Sequence, residues 1–150
     1  LKLKQELNDL HENYIEKIIT NDLDKDFTIN NYNEDSLRVL GKLYFEKNKF
    51  DLIDLDPFGS AYECFDLSLK MAKKGIIITY GELGHKRWKR LDFVSRFYDI
   101  KSLDDFNVDN LIKKTQYLAL QNKINLKPIF IKEWQNIARV YFEIHKVSVY

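Results

Sequence analysis

Cysteine, proline and glycine are all scarce in this chain, and each shortage removes a class of explanation. The single cysteine, Cys64, rules out a disulfide within the chain, and its place on the apolar side of a helix-like segment reads as a small core residue rather than a nucleophile. With two prolines and five glycines among 150 residues there is no flexible linker, no low-complexity tract and no internal repeat, so one continuous domain is the simplest organisation. No apolar run approaches the roughly 20 residues needed to span a bilayer, and no charged-then-apolar leader precedes a small-residue cleavage site. A soluble, cytoplasmic protein with no membrane partner is expected. An excess of either charge is missing too: 24 Lys and Arg face 23 Asp and Glu, a net charge of +1, so any contact with a polyanion must come from a local cluster. His11, His85 and His145 share neither spacing nor an element, so no metal site is expected.

What is present is an alternation of helix and strand. Leu3, Leu7, Leu10, Tyr14 and Ile18 recur at helical spacing, which predicts an amphipathic helix from Lys2 to about Thr20, packed on one face of a sheet. Phe27 to Tyr32 reads as a short strand, Asp35 to Phe45 as a helix, Phe50 to Leu55 as a central strand and Tyr62 to Ala72 as a helix. Lys73, Lys74 and Gly75 look like a helix stop, a basic last turn followed by glycine. Ile76 to Tyr80 is β-branched without polar alternation, so both of its faces should be covered. GELGHKRWKR then reads as a loop, Leu91 to Tyr98 as a short helix and Val108 to Gln121 as an amphipathic one. Pro128 to Lys132 and Ile137 to Val147, separated by Glu133 to Asn136, suit an antiparallel hairpin. The expected fold is α/β: a three-layer, doubly wound, mostly parallel sheet closed by a terminal antiparallel hairpin.

The most informative stretch is FDLIDLDPFGS, Phe50 to Ser60. An apolar strand halts on Asp56, Pro57 cannot donate to a sheet ladder, and Gly59 permits a sharp turn into the next helix. Asp56 should therefore stand at the carboxyl end of a parallel strand, the edge at which open α/β sheets bind ligands. The plainer alternative, that Pro57 and Gly59 only end a strand while Asp56 caps a helix, fits a bare D-P-x-G better than one set between an apolar strand and a helix. No glycine-rich turn of the kind that cradles a nucleotide-like cofactor follows any strand. Since the chain opens in a helix-like segment, its first strand and that turn are expected to be absent, leaving a partial domain.

The motif suits amine chemistry. The exocyclic amine of a nucleobase is a poor nucleophile, because its lone pair is delocalised into the ring and positive charge grows on nitrogen as it attacks. A carboxylate at Asp56, with the Leu55 or Pro57 carbonyl, can accept its N–H bonds and stabilise that charge, an effect worth about 3 to 4 kcal/mol. Phe58 can stack on a base turned out of its helix, contributing about 1 to 3 kcal/mol. Asp54 shares a strand face with Asp56, and two such carboxyl groups repel one another.

On these residues, FDLIDLDPFGSAYECFDLSLKMAKKGIIIT resembles the core of the tRNA guanine N2-dimethyltransferases, whose motif reads D-x-D-P-F/Y-G-S. Asn33-Glu34-Asp35-Ser36 is similar to that family's N-x-D-A segment. Pro128-Ile129-Phe130 and the stretch from Ala138 to Ile144 are similar to its closing strands. The resemblance implies a Rossmann-like class I methyltransferase fold with S-adenosylmethionine as cofactor. Asp56 would receive the target amine, Pro57 and Phe58 would orient and stack the base, and Asp35, Ser36 and Asp54 would line the cofactor side. The implied partner is nucleic acid, RNA before DNA. The family's glycine-rich turn has no match, its acidic ribose ligand only the candidate Asp22, and its C-terminal RNA-reading domain none.

Lys86, Arg87, Lys89 and Arg90 flank Trp88 at the same sheet edge, where a phosphate-gripping loop would stand; the bland counterpart is a solvated turn with Trp88 folded onto the core. Arg139 reads as a surface charge, and Tyr80 and Glu82 as lesser candidates for the rim. Two other classes stay open. Asp54 and Asp56, with Asp104 and Asp105, resemble the D-x-D of metal-dependent phosphotransferases and phosphatases, although Pro57 and Phe58 fit that pattern badly. A non-catalytic nucleic-acid-binding subunit of a methyltransferase would need no Asp56 at all.

Overall fold

The computed structural model describes residues 19–21, 32, 34–57 and 60–147. The predicted helix from Lys2, the strand from Phe27, Asp22, Asn33, Phe58 and Gly59 therefore lie outside the described residues, apart from a parallel bridge between Asn21 and Tyr32. The chain divides into two compact units, Leu1–Val39 and Leu40–Tyr150.

In the first unit the Asn21 side chain ties the Glu34 backbone from both sides, at 2.9 and 3.1 Å. Asp35 then opens helix α1 (Ser36–Phe45): its Oδ1 accepts the Arg38 amide at 3.2 Å and its carbonyl accepts that of Val39, which satisfies donors a helix start leaves over. The helix ends in the second unit, where Lys47 takes a left-handed φ of 62° and the Asn48 amide returns to the Leu43 carbonyl.

The second unit carries strand β1 (Phe50–Leu55), helix α2 (Tyr62–Met71), strand β2 (Ala72–Tyr80), helix α3 (Gly84–Arg87), helix α4 (Leu91–Tyr98), a 3-10 turn at Leu103–Asp105, helix α5 (Val108–Gln121) and strands β3 (Ile124–Trp134) and β4 (Ile137–Lys146). The sheet order is β1-β2-β4-β3. β1 and β2 are parallel, while β4 runs antiparallel to both β2 and β3. The described sheet is thus mixed rather than mostly parallel, and β1 stands at its end rather than its centre. The expected terminal hairpin is present, and its reversed strand β4 lies between β2 and β3.

Register puts Ile53 beside Ile76 and Phe142, and Leu55 beside Ile78 and Val140. With Tyr80, Ala138 and Leu126 they form one buried face. Helices α2 and α5 both reach it: the Tyr62 ring lies 6.3 Å from that of Tyr80, whose hydroxyl meets Thr115 on α5. The Thr115 hydroxyl donates to the Leu111 carbonyl at 2.8 Å, so this polar pair is satisfied in the interior. Asn107 and Asn110 complete a reciprocal capping box at the start of α5.

The opposite face, with Asp54, Ile77, Thr79, Arg139, Tyr141 and Phe130, is only half covered by described residues. On that face the β2 residues Ile77 and Thr79 are half-buried. Gly75 explains a second departure: β2 begins at Ala72, and the supposed helix stop lies inside the strand. A Cβ at Gly75 would come within 2.8 Å of the Tyr141 ring, so the missing side chain makes room for a tyrosine from the neighbouring strand. β3 has a register shift between Pro128 and Phe130, where an edge strand tolerates the missing proline N–H. Among the described residues no helix is long and apolar enough to cross a membrane.

Candidate active site

Because β1 and β2 are parallel, their carboxyl ends share one edge, and the acidic motif and the basic cluster both emerge from it. Asp56 follows β1 directly and is exposed, and Pro57 behind it is half-buried. At the far end of the motif the Ser60 hydroxyl accepts the Tyr62 amide at 3.3 Å, which helps to start α2.

Asp54 is the best-anchored residue of this edge. Its Oδ1 and Oδ2 accept from Nη1 and Nη2 of Arg139 at 3.0 and 2.6 Å, while Nη1 also donates to Thr79 Oγ1 at 2.7 Å. Arg139 faces Thr79 across the β2–β4 ladder, so its guanidinium leaves β4, crosses β2 and grips β1. The planar fork is what lets one side chain hold both oxygens. The hydrogen bond to Asp54 holds Arg139 above its usual protonation range; desolvation opposes this, and the charges of Asp54 and Asp56 add to it. Arg139 is therefore a three-strand latch beside the motif and not the plain surface charge its sequence position suggested. The alternation of Ala138, Arg139 and Val140 puts Arg139 on the opposite face of β4 from its buried neighbours, but only the strand register brings it to Asp54.

Asp35 and Ser36, the other candidates for the cofactor side, belong to the first unit, where Asp35 caps α1 and the Ser36 hydroxyl accepts from Asn21 at 3.5 Å. Lys86, Arg87, Trp88, Lys89 and Arg90 are all exposed. Rather than a loop, their segment is the single helical turn α3, closed by Lys89 at a φ of 52°. Trp88 is 61% exposed, its ring edge close over Gly84 and the Arg90 guanidinium 5.3 Å from its centre, so it is not folded into the core.

Beneath the edge lies a nook that composition did not reveal. Tyr62, Tyr80 and Tyr98 converge there, with the Tyr98 hydroxyl donating to that of Tyr62 at 3.3 Å. Burial pushes the Tyr62 phenol up to about 12 and raises Tyr80 and Tyr98 as well. Glu82, just past the end of β2, is 6% exposed, and neither of its oxygens has a hydrogen-bond partner among the described residues. Burial raises its carboxyl above the ordinary value, opposed by backbone groups at Glu82 and Gly81 and by the Ser60 hydroxyl, which lies close without completing a bond. Two open depressions, along α4 and between α4 and α5, are lined by Asp92, Phe93, Arg96 and Phe97 and by residues from Phe97 to Tyr117, and neither touches Asp56. Asp104 and Asp105 sit in the 3-10 turn, and among the described residues no three His, Cys, Asp or Glu gather as a metal set.

An α/β sheet with D-x-D-P at the carboxyl end of a parallel strand places an exposed acidic residue at the edge where enzymes of this class bind ligands. The chain belongs to the N2,N2-dimethylguanosine tRNA methyltransferase family, whose model matches residues 2–149. Among solved structures it is similar to Trm1 from Pyrococcus horikoshii, determined in complex with S-adenosyl-L-methionine, at 20% identity and a TM-score of 0.62 over 76% of this chain. The match spans 32% of that longer chain, and at this identity it establishes a shared fold. Comparison with curated proteins returns no match.

Proposed function

We propose that this chain is the base-methylating domain of an S-adenosylmethionine-dependent tRNA guanine-N2 methyltransferase, with the three-layer, doubly wound architecture of Rossmann-like methyltransferases. The observation that carries the reading is Asp56, exposed directly after a parallel strand, in a chain that the family matches almost end to end. Asp54 is matched by Arg139 at this edge, and the exposed Asp56 adds a second acidic residue to it. Asp35 and Ser36 are proposed to meet the cofactor's adenine. S-adenosylmethionine supplies, when bound, a methyl group made electrophilic by a positively charged sulfur.

The chain's own work is to make the amine attack. Asp56, with a neighbouring carbonyl beside it, accepts from the guanine N2 amine, so that its lone pair leaves ring conjugation and the charge growing on nitrogen is balanced. Pro57 shapes the wall on which the base rests, and Phe58 is proposed to stack on it. Lys86, Arg87, Lys89 and Arg90 are proposed to grip backbone phosphates, with Trp88 as a stacking surface at the same edge. The phosphotransferase alternative is weakened because Asp54, half of its D-x-D, is committed to Arg139.

The test is methyl transfer from labelled S-adenosylmethionine to a tRNA transcript by the full-length protein, followed by nucleoside analysis. Wild type should form N2-methylated guanosine, and Asp56→Ala should lower kcat by about 10²- to 10³-fold while RNA affinity holds. Full activity of Asp56→Ala would return the chain to the non-catalytic subunit reading.

A further inference from the structure

Glu82 asks for an explanation that neither the fold nor the methyl-transfer step supplies. A carboxylate that is 6% exposed with both oxygens unpartnered among the described residues is a liability, because each orphaned acceptor has lost its water and received nothing in exchange. Other buried polar groups are paired: Thr115 donates to the Leu111 carbonyl, Ser68 donates to the Cys64 carbonyl at 2.7 Å, and Gln116 donates to the Leu126 carbonyl at 3.0 Å; among the described residues His85 Nδ1, one turn past Glu82, is the other exception. Glu82 departs from that habit at the carboxyl edge of β2, beside Ser60 of the D-P-F-G-S motif. Ser60 itself is exposed, so the carboxylate lies one side chain below the surface of the site.

We propose that Glu82 reads the target base, its two oxygens accepting the adjacent N1–H and N2–H of a flipped-out guanine. The proposal rests on the methyl-transfer reading and names how that site would choose its substrate. Two parallel acceptors demand two parallel donors, the arrangement that makes a carboxylate fork onto arginine. Guanine alone among the four bases presents neighbouring N–H donors on its Watson–Crick edge, the edge that enzymes acting on extruded bases can reach. Adenine and cytosine place an acceptor beside their amine, which would confront Glu82 with a second lone pair. With Glu82 on the N1 side, the other N2–H is left for Asp56. The aromatic walls of Tyr62, Tyr80 and Tyr98 keep water away from the carboxylate, so a mismatched base would leave a desolvated acceptor unpaired.

A purine swap tests this in the full-length protein. In a tRNA transcript whose target guanine is replaced by 2-aminopurine, the N2 amine remains but N1 becomes an acceptor. Wild type should lose at least about 100-fold in kcat/KM on that substrate, as sites built around a hydrogen bond do when the partner group is wrong. Glu82→Gln offers one acceptor and one donor, so it should fall about 100-fold on guanine and bring 2-aminopurine level with it or above it, with S-adenosylmethionine binding by calorimetry unchanged. Wild type that treats both purines alike overturns the proposal without need of any variant, as does Glu82→Gln that methylates guanine at the wild-type rate. Wild type that methylates no RNA removes the underlying reading, and the base-reading role with it; wild type active and indifferent to the swap removes the role alone.

Discussion

Asp54 and Glu82 are two acidic residues beside neighbouring strands, and the molecule treats them in opposite ways. Asp54, on the half-open face and 40% exposed, receives both arms of Arg139; Glu82, sealed on the other side, completes no hydrogen bond among the described residues. A carboxylate near water could have been left unpaired at little cost, yet it is the one that is matched. A buried one is costly when orphaned, yet it is the one left orphaned. The pairing at Asp54 serves to hold the edge in shape, whereas the missing pairing at Glu82 reserves two acceptors for something that arrives later.

The difference between the two faces can be sharpened by large-to-small changes. Phe142, fully buried between Ile76 and Pro128 in the ladder, should cost about 3 to 5 kcal/mol when changed to Ala; Phe130, which is 62% exposed on β3, three strands from the motif, should cost under about 1 kcal/mol. Urea unfolding measures both. Near-equal losses would mean that the half-open face is as well packed as the core.

The latch comes next. Arg139→Leu leaves Asp54 without its partner and should lower stability by about 1 to 2 kcal/mol, a figure reduced because the two side chains remain 31% and 40% exposed. Arg139→Lys keeps the charge and loses the fork, so it should recover less than half of that. A loss of kcat in Arg139→Leu that exceeds the loss of stability would show that the latch also aims Asp56. A Lys variant indistinguishable from wild type would show that charge alone suffices.

The smallest effect concerns Glu82 itself. Its carboxyl titrates above the ordinary value of 4.5, with Tyr62, Tyr80 and Tyr98 as its titratable neighbours and His85 one turn on. Below that ordinary value it is neutral in folded and unfolded chains alike. As pH rises from that ordinary value to the higher folded one, the unfolded chain is the more ionised, so stability should decline across this window and level off above it. Glu82→Gln should flatten that slope and gain about 1 kcal/mol at neutral pH by thermal or urea unfolding. A slope unchanged by the substitution would mean that Glu82 already has a partner in the folded protein.

Local pattern made three elements readable at their observed bounds: Phe50–Leu55, Leu91–Tyr98 and Val108–Gln121 each carry one clear period and a clean stop. The junction from Lys73 to Gly75 was misread because a basic turn and a glycine end helices by local rules, while the true reason for Gly75 is a tyrosine 66 positions further on, as its 75-to-141 contact shows. The same holds at the site. Asp56 could be found from its neighbours in sequence, since strand, proline and glycine all lie within reach of it. Arg139 could not, because its partner is 85 residues away, nor could Glu82, because burial without a partner is a property of the assembled interior.

The reversed strand β4 also sets a timetable. Ile76 and Ile78 lie against Phe142 and Val140, so when a ribosome has just released β2, one flank of that strand has no mate until some sixty further residues have been made. Throughout that interval only β1 and β2 of the described strands are in place beside the motif, and Asp54 waits for an arginine that has yet to be translated. Ligand-binding competence at this edge is therefore expected late in synthesis, once the closing hairpin has turned back on the sheet.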